Sequence, residues 1–204
     1  MRPREHWDGV YGRRRADEVS WYRPHLEQSM RLIDAANVGP DAAIIDVGGG
    51  ASTLVDDLLL RGYANITVLD ISAAALEVAK ARLAERAASV HWLAADITQV
   101  DLGPNAYDLW HDRAVFHFLR GEDERRLYVA CAGRSLKPGG HLVIATFGPE
   151  GPDRCSGLDV VRYGADELRA QFGVDFALIE DVTEVHATPS GAHQQFVYCL
   201  FRKR

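Results

Sequence analysis

The residues best placed for chemistry are Asp46, Gly48, Gly49 and Gly50, with Asp70 following 20 residues after the last glycine. The short apolar run Ala42 to Ile45 reads as a buried strand, and Thr53 to Arg61 as a helix that starts just beyond the glycines. A strand that turns tightly into a helix leaves backbone N–H groups pointing into a crevice at the strand's carboxyl end. Glycine has no Cβ, so a ligand can lie against such a turn. A second strand, Asn65 to Leu69, delivers Asp70, where a carboxylate accepts hydrogen bonds from two ribose hydroxyls. These positions read as a nucleoside-binding strand–helix–strand unit.

A second group of chemical side chains is His111, Asp112, Arg113 and His117, at and just beyond the end of a fourth strand. An arginine there can lower the pKa of a neighbouring thiol, or it can simply pair with Asp112. His117 can act as a base, or pack between Phe116 and Phe118. Cys155 falls in a Gly/Pro/Asp loop near the same mouth and reads either as part of that site or as a resting thiol. Other chemistries lack their signatures. Thr53 stands where a dinucleotide fingerprint needs its third glycine. No G-x-x-x-x-G-K-[ST] run and no H-E-x-x-H spacing occurs, so neither a phosphate cradle nor a metal site is expected.

The elements that must position these groups alternate along the chain. Pro24 can open a helix that runs to about Ala36. Ser72 caps a helix carrying Ala75, Leu76, Ala79 and Leu83, extending to about Ala88. Val90 to Ala94, Tyr107 to His111 and His141 to Phe147 read as strands. Glu122 to Leu136 is a charged helix before the turn Lys137 to Gly140, and Ala165 to Phe172 is a short helix. Phe176 to Val185 and Gln194 to Phe201 form a hairpin. The alternation predicts an α/β fold, a mostly parallel sheet covered on both faces with an antiparallel hairpin at its end.

With 204 residues, 47% hydrophobic and 25% charged, the chain has enough apolar content for one domain with a full core. A net charge of -6 argues against nucleic acid as a partner, and Arg13-Arg14-Arg15 reads as a solvated cluster. Three scattered cysteines suggest a reducing, cytoplasmic setting. The polar opening residues do not resemble a signal peptide, and no apolar run approaches the ~20 residues that span a bilayer.

Four landmarks in order carry a family resemblance: Asp46-x-Gly48-x-Gly50, Asp70, Asp96-Ile97, and Leu136-Lys137-Pro138-Gly139-Gly140. Over roughly residues 40 to 147 they resemble the class I S-adenosylmethionine-dependent methyltransferases. The resemblance implies a Rossmann-like, doubly wound, seven-stranded sheet in a single domain, with a lid and helix over residues 1–38 and the core over 39–204. It implies S-adenosylmethionine as cofactor. Asp46 and His111 would meet the methionine portion, Gly48, Gly49 and Gly50 the turn beneath the cofactor, and Asp70 the ribose. Ile71, Asp96 and Ile97 would hold adenine, although both isoleucines read equally well as core. Trp7, Tyr11, Trp21 and Tyr22 would form the lid and face the sulfonium by cation–π contact, unless they are simply a hydrophobic cluster.

The acceptor is less constrained. Asp112-Arg113-Ala114 resembles the Asp-Arg-(Gly/Ala) stretch of thiopurine and related small-thiol methyltransferases. That favours a small-molecule acceptor with a thiol or other chalcogen, with Arg113, Asp112 and His117 as candidate catalytic groups. The pattern Trp7…Tyr11…Glu18…Trp21-Tyr22 and Gly62-Tyr63-x-Asn65-Ile66-Thr67-x-Leu69-Asp70-Ile71-Ser72 is similar to the lysine methyltransferases of a translation elongation factor. A protein lysine N-methyltransferase is therefore the first alternative. A non-catalytic nucleoside-binding protein and a nicotinamide oxidoreductase are the others. A monomer or homodimer without membrane or nucleic-acid partners is expected.

Overall fold

The computed structural model describes residues 3–13 and 15–204. Arg14, the middle of the basic cluster, lies outside them. In chain order the elements are α1 (Pro3–Tyr11), α2 (Glu27–Ala36), β1 (Ala43–Val47), α3 (Leu54–Leu60), β2 (Asn65–Asp70), α4 (Ala73–Leu83) and β3 (Val90–Ala94). They continue with β4 (Tyr107–Arg113), α5 (Glu122–Ser135), β5 (Leu136–Phe147), the short pair β6 (Arg154–Cys155) and β7 (Leu158–Asp159), α6 (Ala165–Phe172), β8 (Phe176–Ala187) and β9 (His193–Lys203).

Seven strands form one sheet in the order β3-β2-β1-β4-β5-β9-β8. The strands β1 to β5 run parallel, and β9 pairs antiparallel with both β5 and β8. The order reverses between β1 and β4, so a crevice opens beyond their carboxyl ends. Alternation along β1 sends Ile44 to the face covered by Leu54 and Leu58 of α3, and Ile45 to the face shared with Tyr128 of α5 and Leu168 of α6. Both faces are therefore dry, which is why β1 is buried along its whole length.

Several features differ from the sequence expectation, among them the β6–β7 pair in the expected Gly148 to Gly157 loop and the run of β4 on to Arg113. The leader contains a helix, α1, which buries only Val10 and is held on α4 by an external contact: the Ser72 hydroxyl donates to Asp8 at 2.6 Å. The second helix starts at Glu27, three residues beyond Pro24. The fourth ends at Leu83 and gives way to a 3-10 turn, Ala84–Ser89. Lys137 to Gly140 is absorbed into β5 as an irregularity opposite Tyr107 and Leu109. Ser72 caps α4 as expected, accepting from the Ala75 N–H at 3.1 Å.

Candidate active site

The carboxyl ends of β1 and β4 stand side by side, with Asp46 in register with His111. Their side chains therefore share a face. The His111 Nδ1 lies 2.7 Å from Asp46 Oδ1, and its Nε2 lies 2.9 Å from the Ser29 hydroxyl of α2. With the proton on Nδ1, the imidazole donates to Asp46 and accepts from Ser29. Both ring nitrogens are spent, so His111 orients Asp46 and is not itself free for a ligand's polar groups. Asp46 is 2% exposed, yet its Oδ2 has no protein partner. It borders a cavity that Gly48, Gly49, Tyr22 and Arg113 also line. A buried carboxylate oxygen without a donor is costly, and it marks the place for a ligand's cationic donor.

Gly48 and Gly49 border the cavity, and the glycines also make room for the protein's own side chains. A Cβ on Gly49 would lie 2.4 Å from Asp46 Oδ2, and one on Gly50 would lie 2.5 Å from Asp70 Oδ2. On Gly48 it would meet a Val115 methyl at 1.9 Å. The missing side chains let the protein's own carboxylates close on the turn, and Gly50 does not line the cavity at all. The N–H groups of Gly48 and Gly49 are also taken, at 2.7 and 3.2 Å from the Leu69 carbonyl. Gly48 and Gly50 have φ of +70° and +34°, a conformation that disfavours other residues.

A second cavity continues from Gly48 toward β2 and β3. Asp70, Ile71, Asp96 and Ile97 line it together with Arg113, Ala114, Phe118, Cys155, Trp7, Tyr11 and Trp21. Asp70 Oδ1 accepts from the Ser72 N–H at 2.8 Å. Burial, with Asp46 and Asp8 adding negative charge nearby, pushes its pKa up to about 7 against the pull of that N–H. Asp96 holds its own turn, accepting from the Thr98 N–H at 2.9 Å and hydroxyl at 2.7 Å.

Asp70 therefore carries a pH dependence. A hydroxyl donates more strongly to an ionised carboxylate than to a neutral acid. Affinity for a ribose-containing ligand is expected to rise about tenfold from pH 6 to pH 8, and Asp70→Asn is expected to flatten that rise. The opposite sign holds for the ligand-free fold. The folded state keeps a proton that the unfolded chain releases near pH 4, so stability falls as pH rises from about 4 through 7. Calorimetric titration across this range measures the first effect and thermal melts the second.

Alternation along β4 separates the remaining candidates. Arg113 points into the cleft, whereas Asp112 points to the opposite face, is fully buried, and lines neither cavity. Its oxygens accept from the Val115 and Phe116 N–H groups at 2.8 and 3.1 Å and from the Tyr128 hydroxyl at 2.6 Å. Burial raises its pKa to about 6, opposed by those donors. Asp112 thus fixes the turn after β4, where Ala114 holds φ of +75°, and it does not meet the reacting groups. His117 is also removed from catalysis. It is buried between Phe118 and Phe147, accepts from the Phe147 N–H at 3.3 Å, and burial drives its pKa down to about 3.

Arg113 stands in a row with Ala145 and Tyr198 across β4, β5 and β9. The small Ala145 lets the guanidinium reach over it. Its Nε donates to the Tyr198 hydroxyl at 2.9 Å and one Nη to the Trp21 carbonyl at 3.0 Å, and it lies 4.5 Å from the Phe196 ring centre. The other Nη is buried without a partner, and among the described residues no carboxylate forms an ion pair with it. The Tyr198 hydroxyl donates to Glu184 at 3.0 Å, and Glu184 pairs with Arg23 at 2.9 Å.

The strap between α1 and α2 is pinned over the cleft. Arg113 holds the Trp21 carbonyl, His186 the Ser20 carbonyl at 2.8 Å, and Thr53 the Arg23 carbonyl at 2.9 Å. Trp7 packs edge-on against Trp21 and Phe118, with centroids 5.7 and 5.2 Å away, and Trp21 donates to the Tyr11 hydroxyl at 3.3 Å. The roles of Ser29, Tyr198, Glu184 and Thr53 were not legible in the sequence, because each is set by a partner far along the chain.

A model of a methyltransferase domain matches residues 45–144. Human EEF1A lysine methyltransferase 2 is 22% identical over 193 residues, covering 88% of this chain and 76% of that protein. A protein solved in a study of the conversion of a disulfide bond into a thioacetal group during echinomycin biosynthesis superposes with a TM-score of 0.77 at 19% identity, over 99% of this chain and 92% of that one. The Burkholderia thailandensis 1,6-didemethyltoxoflavin N1-methyltransferase, solved with that compound and S-adenosylhomocysteine, gives 0.70 at 20% identity, over 98% and 84%.

Proposed function

We propose that this chain, a class I S-adenosylmethionine-dependent methyltransferase, methylates a small-molecule acceptor through a thiol or related chalcogen. The cleft fits the cofactor on its own chemistry. Asp46 Oδ2 is an orphan acceptor suited to the methionine ammonium, Asp70 suits the ribose hydroxyls, and Ile71 and Ile97 offer an apolar bed for adenine. When bound, S-adenosylmethionine supplies a methyl group on a sulfonium that is already a good leaving group. The protein's part is to hold donor and acceptor in line, exclude water, and present an acceptor with a free lone pair.

The observation that carries the acceptor assignment is the guanidinium of Arg113. It lines both cavities, retains one buried N–H without a partner, and has no carboxylate paired with it among the described residues. An unpaired buried cation lowers the pKa of a thiol beside it, working against the desolvation that pushes the neighbouring Cys155 thiol up to about 12. A lysine ammonium would meet a like charge there. The lysine reading is kept as the second one because of the similarity to human EEF1A lysine methyltransferase 2, the substrate being that named for the relative.

The test supplies methyl-labelled S-adenosylmethionine with a panel of low-molecular-weight thiols and, separately, with the proteins of a cell extract. Labelled thioethers with unlabelled proteins are the expected result. Labelled protein bands with inert thiols would transfer the assignment to the lysine reading.

A further inference from the structure

The inner stripe of helix α1 faces the cleft. Pro3, Trp7 and Tyr11 recur every fourth residue, so they share one side of the helix, and all three line the second cavity with Asp70 and Ile71. Val10 is the residue of α1 that is buried in protein. Successive helix residues turn by about 100°, so His6 and Asp8 leave the helix on either side of Trp7. His6 Nε2 lies 3.3 Å from the Ser156 hydroxyl of the β6–β7 loop. Asp8 Oδ1 accepts from the Ser72 hydroxyl at 2.6 Å and, more weakly, from the Ala74 N–H at 3.5 Å. The helix is thus clasped on both flanks, to the loop after Cys155 and to the helix after Ile71, with its cavity-lining stripe between the clasps.

The Asp8 clasp is the shorter of the two, and it is charged. The first N–H groups of α4 carry partial positive charge, which favours a carboxylate beside them. Ser72 is fully buried and has no spare group. Its N–H donates to Asp70 Oδ1 at 2.8 Å, its hydroxyl donates to Asp8, and its oxygen accepts from the Ala75 N–H at 3.1 Å. One residue therefore joins the carboxylate assigned to the ribose to the helix whose stripe lines the same cavity. A helix with so little buried surface belongs to the parts of a fold that open most easily. A ligand in the second cavity would give that stripe the apolar contact it otherwise lacks.

We propose that Asp8 is a positioning residue: by holding α1 on Ser72 it keeps the helix closed over the cofactor, so that α1 and the bound cofactor stabilise each other. This rests on the assignment of Asp70 to the cofactor's ribose and is independent of the acceptor's identity.

Release of labelled S-adenosylhomocysteine, chased with unlabelled compound, tests it. Release is expected to be about tenfold faster from Asp8→Ala than from the wild type, the size of a lost hydrogen bond to a charged group. Asp8→Asn keeps an acceptor for Ser72 and is expected to fall between the two. Hydrogen exchange gives a second readout. Adding S-adenosylhomocysteine is expected to slow the α1 amides about tenfold in the wild type and less than about threefold in Asp8→Ala, while β2 slows alike in both. Release from Asp8→Ala within about threefold of wild type, or α1 exchange that the ligand leaves unchanged in the wild type, would overturn the role of Asp8 and leave the cleft assignment standing. An equal loss of protection in β2 would show general destabilisation and overturn it as well. A wild-type chain with no affinity for S-adenosylhomocysteine would overturn both the role and the cleft assignment.

Discussion

Asp46→Ala is expected to raise the dissociation constant for S-adenosylmethionine by about a hundredfold. The basis is a carboxylate that the fold has already desolvated and aimed. His111 occupies one oxygen at 2.7 Å, and the other oxygen has no protein donor. A ligand ammonium placed against that oxygen completes a buried ion pair, and breaking such a pair costs about 3–5 kcal/mol because the surviving charge is left unmatched. Some of that cost is recovered by water in the vacated space, and a loss of about 2.7 kcal/mol corresponds to a hundredfold. Asp46→Asn keeps the shape and one acceptor oxygen, so its affinity should fall between those of the wild type and Asp46→Ala. Calorimetry with S-adenosylhomocysteine separates affinity from turnover. An Asp46→Ala affinity within threefold of wild type would remove Asp46 from the cofactor site.

The second large effect is on turnover. Arg113→Met is expected to reduce kcat with a thiol acceptor by about a hundredfold while the cofactor's dissociation constant changes less than threefold. Methionine keeps much of the arginine's length but has no charge. If the guanidinium lowers the bound thiol's pKa by about two units, the thiolate fraction near neutral pH falls about a hundredfold without it. The loss should therefore be steepest for thiols of high intrinsic pKa and should shrink as the assay pH is raised. Tyr198 keeps Glu184 as its acceptor in the variant, which limits the damage to packing. An equal loss across thiols of all pKa values, or a parallel loss of cofactor affinity, would show that Arg113 acts through structure or on the cofactor instead.

The strand-tip aspartates were legible because they need only a strand, a turn and a fixed spacing, all local properties. The glycines were legible as a turn, but the room they make for carboxylates was not. That Gly49 and Gly50 make room for Asp46 and Asp70 depends on where those carboxylates lie once β1 and β2 pair. Asp112 was separable from Arg113 by alternation alone, since neighbouring residues of a strand face opposite sides. The resemblance of the three-residue stretch to a known motif obscured that. His117 lost its expected role to burial, which the flanking phenylalanines already suggested. Helix α1 was hidden for a different reason: it buries a single residue, and its placement comes from Asp8 on Ser72 and from the aromatic contacts of Trp7. Arg113's reach to Tyr198 required knowing that β9 lies beside β5, and that only the small Ala145 stands between them.

The lid also links fold to turnover. Trp21 lines both cavities, and its backbone carbonyl accepts from Arg113. The guanidinium that borders both cavities thus also ties down the strap.

The most direct measurement is a crystal structure with S-adenosylhomocysteine bound. The expected result is its ammonium within hydrogen-bond distance of Asp46 Oδ2, its ribose hydroxyls on Asp70, and its sulfur facing Arg113 beneath Trp21. Adenosine lying away from Asp70, or Asp46 Oδ2 still without a donor in that complex, would contradict this assignment of the cleft.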